Sequence, residues 1–267
     1  RDTDRSRGLG DVYKRQGYKT LGLYQVEDFD YNAKDQTYTL KEGIPYMSGT
    51  FNRSDIRPGM WKFDDRNGDK VIDDSDMTVI GNANPDFYGG LNNQFKYKGW
   101  DFSFFFTFSY GGEVLNATKL TNTKTATTNY SVLNIANSSN RWMTVNSEGQ
   151  LITDPEEMAA INAGRTVACI YDMEMGDKYI HSWAVEDASY LRLSNLSLGY
   201  TFDRKKLRKF NVQSLRLYFT GSNLFVWTPY SGFDPEVSTK GNSLTPGVDY
   251  GAYPRNRSYV FGLNITF

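Results

Sequence analysis

The stretch "DRNGDKVIDDSD", Asp65 to Asp76, spaces oxygen-bearing residues as a hard cation would require. Calcium loops of twelve residues take oxygens from positions 1, 3, 5, 7, 9 and 12, with glycine at position 6 making the turn. Counted from Asp65, those positions hold Asp65, Asn67, Asp69, the Val71 carbonyl, Asp73 and Asp76, and Ile72 follows as the apolar anchor. The pattern departs from the loop in three ways. Lys70 stands where glycine is expected, Asp76 is shorter than the usual bidentate glutamate, and no helix clearly precedes Asp65. Two readings follow: a structural Ca2+ ion, or a knot of Asx turns in which side-chain oxygens accept bonds from nearby backbone N–H groups. Magnesium, with its demand for near-ideal octahedral geometry, fits less well.

Other chemistry has little to work with. One histidine, His181, and one cysteine, Cys169, leave no basis for a histidine metal cluster, a Ser-His triad or an internal disulfide. The acidic residues fall in loops without an evident partner, so no catalytic residue and no enzyme is expected. Trp142, Tyr171, Trp183, Trp227, Tyr230 and Tyr250 lie in or beside the long connections and could stack on sugar faces. The same rings could pack the loops or form an interfacial belt. Arg216, on a polar strand face, could line a lumen.

The elements that must position these residues read as strands. The chain has 267 residues and a formal net charge of −1, which argues against a nucleic-acid footprint. A mean hydropathy of −0.58 and the lack of any long apolar run argue against a helical membrane span. A membrane β-barrel is not excluded, because its short alternating strands average out. The 19 Tyr, 17 Phe and 5 Trp suit strands and interfacial belts. In "WDFSFFFTFSY", Trp100, Phe102, Phe104, Phe106, Phe108 and Tyr110 share a face against Asp101, Ser103, Thr107 and Ser109, a period of two. The alternating 87–97 segment precedes it across Lys98-Gly99, which predicts a hairpin. "NLSLGYTF", "SLRLYFTGS" and "SYVFGLNITF" repeat the pattern.

A soluble sandwich would alternate similarly. However, the apolar faces end in Tyr, Phe or Trp, and short connections (Lys98-Gly99, about "DRKKLRKFN") alternate with long ones (112–188 and 228–256). Both features match a membrane barrel with long loops on the outer side, where 65–76 would also lie. Five strands cannot close a barrel, so further strands are expected upstream of Gly17, with a candidate in "YKTLGLYQVEDF". "TDPEEMAAINAG" predicts a short surface helix capped by Thr153 or Asp154 and stopped at Gly164. The opening "RDTDRSRGLGDVYKRQ" lacks periodicity and resembles translated junction sequence, so residues 1–16 are expected to stand apart from the fold as a non-native or disordered leader.

Taken in order, "RPGMWKFDDRNGDKVIDDSDMTVIGNANPDFYGGLNNQFKYKGWDFSFFFTFSYGGEV", "VEDASYLRLSNLSLGYTF", "LRLYFTGSNLFVWTPYSGFDPEV" and "YPRNRSYVFGLNITF" resemble the late-barrel signature of SusC/RagA-like TonB-linked outer-membrane transporters of Bacteroidetes. The resemblance covers almost everything from Gly17 to Phe267. It implies an all-β chain, the C-terminal part of a transmembrane antiparallel β-barrel of about 22 strands around an N-terminal plug. Residues 17–267 would supply barrel wall and extracellular loops, in the cell outer membrane. The implied partners are a SusD-like surface lipoprotein, TonB–ExbB–ExbD acting through the N-terminal part, outer-membrane lipid and a glycan or peptide substrate. The terminal Phe267 resembles the family's aromatic last residue. Two other classes remain open on the residues alone: a secreted or surface β-sandwich that binds carbohydrate, and an outer-membrane enzyme or adhesin.

Overall fold

The computed structural model describes residues 14–49, 51–123, 132–169, 179–238 and 246–267. Among them the first strands in chain order are β1 (Lys14–Gly17), β2 (Thr20–Leu23), β3 (Phe29–Asn32), β4 (Thr37–Leu40), β5 (Tyr46–Met47), β6 (Trp61–Phe63), β7 (Val71–Ile72) and β8 (Thr78–Asn82). There follow β9 (Phe87–Tyr97), β10 (Trp100–Tyr110), β11 (Glu113–Asn116), β12 (Val185–Asp187), β13 (Tyr190–Thr201), β14 (Ser214–Trp227), β15 (Val248–Asp249) and β16 (Ser258–Thr266). The chain folds as two units: Arg1–Gly81 with Leu115–Val185 and Asp249–Gly251, and Asn82–Val114 with Glu186–Val248 and Ala252–Phe267.

The second unit is built on a five-stranded antiparallel sheet in the order β9-β10-β13-β14-β16. The alternating segments seen in the sequence are its strands. Lys98 and Gly99 turn the first hairpin with φ of 45° and 90°, both left-handed as a two-residue I′ loop requires. Connections alternate in length as the sequence suggests. Residues 202–213, with a short helix at Arg204–Leu207, close one end, while 111–189 and 228–257 leave from the other. The sheet is open among the described residues: β9 and β16 each have one unpaired edge, and no closed barrel forms.

The first unit departs from expectation. Short strand pairs (β1 with β8, β2 with β6, β3 with β4, β5 with β7) surround a core that includes Tyr24, Ile56, Met60, Trp61 and Ile72. Strand β2 falls within "YKTLGLYQVEDF" but pairs with β6, not with the long-stranded ladder. Lys14–Gly17 forms β1, so a strand reaches into the stretch expected to be leader; residues 1–13 lie outside the described residues. Residues of the polar 112–188 connection also enter this core. Trp142, Ile152, Met158, Ala168 and Cys169 are all buried, and each large apolar side chain removed from water contributes about 1.5–3 kcal/mol. The predicted helix forms at Pro155–Asn162, where Asp154 caps it by accepting from the Glu157 N–H at 2.8 Å. Gly164 takes φ 78° just past its end.

Candidate functional site

The most extensive functional surface is one face of the ladder. Directly opposed residues share a face, so the register lays out apolar rows. Phe95, Phe102, Leu198, Phe219 and Phe261 form one, and Tyr97, Trp100, Tyr200, Leu217 and Leu263 another. Strict alternation would turn Leu191 and Leu193 away, since Leu196 and Leu198 have the opposite parity. A bulge at Ser194 shifts the register by one and returns both leucines to this face, opposite Phe108 and Phe106. The face is left uncovered. Phe261 is 81% exposed, Phe95 56% and Trp100 51%, far beyond what a soluble sheet tolerates.

The other face is polar and hydrogen-bonded across strands. Thr107 Oγ1 lies 2.8 Å from Ser194 Oγ, and Arg216 Nη2 donates to Asp101 Oδ2 at 2.6 Å. Gly199 lies under that ion pair: a Cβ there would come within 2.6 Å of both partners. At the long-connection end, Arg192 of β13 is buried and holds the 228–257 connection. It donates to Asp234 Oδ1 at 2.6 Å and faces Glu236 Oε2 at 2.9 Å, while Arg255 reaches Glu236 at 3.2 Å. Beside this network lies a cavity of about 430 Å3 whose walls include Glu113, Tyr190, Glu236 and Arg255. Sequence reading missed the Arg192 network, because nothing in the spacing links residue 192 to residue 234.

In the Asp65–Asp76 loop the carboxylates are engaged by backbone N–H groups. Asp65 accepts from Gly68 N and Lys70 N at 2.8 and 2.9 Å, and Asn67 Oδ1 from Asp69 N at 2.9 Å. Asp69 accepts from Val71 N at 2.9 Å and Asp73 from Ser75 N at 2.7 Å. Buried Asp76 accepts from Arg66 N at 2.8 Å and Asp73 N at 3.0 Å. Lys70 takes the left-handed turn itself, with φ 69°. Ile72 is the expected anchor, 1% exposed in the core. Among the described residues no three His, Cys, Asp or Glu side chains gather as a metal site. The hydrogen bonds are those of Asx turns, which the loop can make with or without an ion.

The aromatic candidates differ in setting. Trp142 is a core side chain packed over Gly59, where a Cβ would meet its ring at 2.3 Å, so it has no face free for a ligand. Tyr230 is buried with Val114 and Val237. Trp183 is half-buried beside Trp61, with Lys119 Nζ 4.2 Å from its ring centroid. Trp227 belongs to the apolar face of the ladder, Tyr250 is exposed, and Tyr171 lies outside the described residues. His181, unremarkable in the sequence, is fully buried between Trp61 and Phe63 with ring centroids at 4.8 and 5.4 Å. Among the described residues neither ring nitrogen has a hydrogen-bond partner. Burial first, and the Lys119 charge second, pull its pKa down to about 3, so the ring is neutral.

An open antiparallel ladder, apolar on one face and polar on the other, with all long connections leaving one end, recurs in known proteins. No family model matches the chain. It is 34% identical to TonB-dependent receptor P3 of Formosa agariphila over 97% of its length, covering 22% of that receptor. Identity is 30% to TonB-dependent receptor SusC of Bacteroides thetaiotaomicron over 77% of the chain, 17% of that protein. The chain belongs to the SusC/RagA-like TonB-dependent receptors. The RagAB peptide importer in its closed-closed state shares the fold, with a TM-score of 0.56 at 18% identity, covering 95% of this chain and 23% of that one. The open-open state gives a TM-score of 0.53. As a TonB-dependent receptor chain it is an outer-membrane protein, of a family of receptors and not of enzymes. It spans about a quarter or less of the length of the relatives it matches.

Proposed function

We propose that this TonB-dependent receptor chain supplies late strands to the wall of a membrane-spanning β-barrel, with residues 111–189 and 228–257 on the extracellular side. The observation that carries this reading is the uncovered apolar face continuous across all five strands of the ladder. Hydrocarbon satisfies such a face, and a barrel pairs the edges of β9 and β16 with further strands. The polar face then borders the lumen, with the Arg216–Asp101 pair on it and the 228–257 connection fastened across its outer end by Arg192.

The whole receptor would import a nutrient, a glycan or a peptide, with energy from TonB–ExbB–ExbD and capture by a SusD-like lipoprotein. Membership among SusC-like receptors supports the importer, and likeness to the RagAB peptide importer keeps peptides among the substrates. A soluble sandwich would need a second sheet on the Phe102–Phe108 face, and beside those half-buried rings Phe95, Leu198, Leu217 and Phe261 are exposed.

The barrel reading is tested in the full-length receptor, reconstituted in vesicles with bromine-labelled acyl chains. A fluorophore on Phe261→Cys should be quenched, and one on Val260→Cys, on the opposite face, should not. Equal quenching, or none at either position, would overturn the assignment. Uptake assays with glycans and with peptides, in cells with and without the receptor gene, decide the substrate class.

A further inference from the structure

At the long-connection end of the apolar face the rings do not form an even belt. Phe87 of β9 and Tyr110 of β10 stack at 5.2 Å, with Phe108 beside them. On the far side stands Trp227 of β14, opposite Leu191 and 6.5 Å from Phe106 across β13. Between these walls, just before β13, stands a small residue, Ser189, and the residues around it (Phe108, Tyr110, Trp227 and Pro229) are large. The result is a notch of about 360 Å3 whose lining includes Phe87, Phe108, Tyr110, Trp227 and Pro229 around Ser189. Its floor is held from both sides: Gly111 N donates to Ser189 Oγ at 3.0 Å, and Thr228 Oγ1 donates to the Ser189 carbonyl at 2.7 Å. Strands β10 and β14 both pair with β13, so their backbones stand roughly 10 Å apart across the notch. With ring edges on both sides, that leaves about the width of one hydrocarbon chain.

We propose that this notch is a binding site for one acyl chain of an outer-leaflet bilayer lipid, seated along the strand direction with its ester end toward the long connections. The inference rests on the barrel reading above. Three features name the occupant. Aromatic rings make most of the walls, the notch is continuous with the face that meets the bilayer, and its polar side chains are uncharged hydroxyls (Ser109, Tyr110, Ser189, Tyr190 and Thr228), which suits the ester end of a lipid. An ordinary stretch of barrel wall packs lipid loosely everywhere. Here a small residue between aromatic walls makes one position deeper than the rest.

The experiment uses the full-length receptor in vesicles containing a phospholipid with a photoactivatable diazirine on its acyl chain, followed by mapping of the adducts. Adducts should be several-fold denser on peptides carrying Phe87, Phe108–Tyr110 and Trp227–Pro229 than on those carrying Phe95 or Phe261. The excess should be lost in Ser189→Trp, which fills the notch, and kept in Ser189→Ala. Labelling spread evenly over the apolar face of the wild-type receptor overturns the site and leaves the barrel intact. So does a notch filled by the lipid anchor of a partner lipoprotein, because the bilayer probe is then shut out. Absence of acyl labelling anywhere on the ladder overturns the site together with the barrel reading. The wild-type map decides the matter even if Ser189→Trp does not assemble.

Discussion

At the scale of single residues, two side chains stand where their types are least comfortable, and each gives a prediction. His181 has both nitrogens unpartnered among the described residues, in an aromatic core, and a pKa pulled down to about 3. The folded protein keeps it neutral, while the unfolded chain binds a proton below the ordinary value of about 6.5. The native state is therefore unpenalised above pH 6.5 and loses stability as pH falls from there toward 3, by something on the order of a few kcal/mol. His181→Phe should flatten that part of the curve, measured as the difference between variant and wild-type melting at pH 7 and pH 4.5. An unchanged difference would show that the ring titrates normally. Lys70 adopts a left-handed conformation that a branched Cβ resists. Lys70→Val should cost about 1–2 kcal/mol, and Lys70→Asn should be near neutral; equal effects in denaturant melts would refute the strain account. The loop's acidic residues were legible as a cluster. Which N–H each carboxylate meets was not, because that depends on backbone angles that spacing does not specify.

At the scale of elements, the ladder relies on glycines beneath large side chains. Gly262 of β16 lies opposite Tyr218 of β14, and a Cβ there would sit 2.0 Å from the tyrosine ring. Gly262→Val should displace Tyr218 and destabilise the strand pair by about 1–3 kcal/mol, seen as a lower heat-modification temperature of the folded receptor on gels. Gly262→Ala with Tyr218→Ala should recover most of the loss, and failure to recover would mean that the glycine serves the backbone instead. Arg192 ties an element to a connection. Removing one member of a buried ion pair costs about 3–5 kcal/mol, so Arg192→Met should free the 228–257 connection and expose it to external protease in intact cells. Wild-type resistance in the variant would count against that tether. The strands themselves were readable from a period of two, while the bulge at Ser194 was not, because a single inserted residue looks like the end of a strand.

At the scale of the whole molecule, an uncovered apolar face and two open strand edges make this chain dependent on what surrounds it. Expressed alone in buffer, residues 14–267 should aggregate, and detergent should hold them in solution. A monodisperse monomer without detergent, measured by light scattering, would show that some other surface covers the face. The five long strands, their apolar and polar faces, the hairpin turn, the capped helix and the family were all legible in the order of residues, since each rests on local periodicity or on an ordered run of motifs. The folded chain was needed to show that the first unit draws Trp142, Met158 and Cys169 from a polar connection into its core. It alone placed His181 among aromatic rings and joined Arg192 to Asp234, for these contacts unite residues far apart in the chain. Periodicity records which way a side chain points along one element. It carries no record of which distant element arrives to meet it.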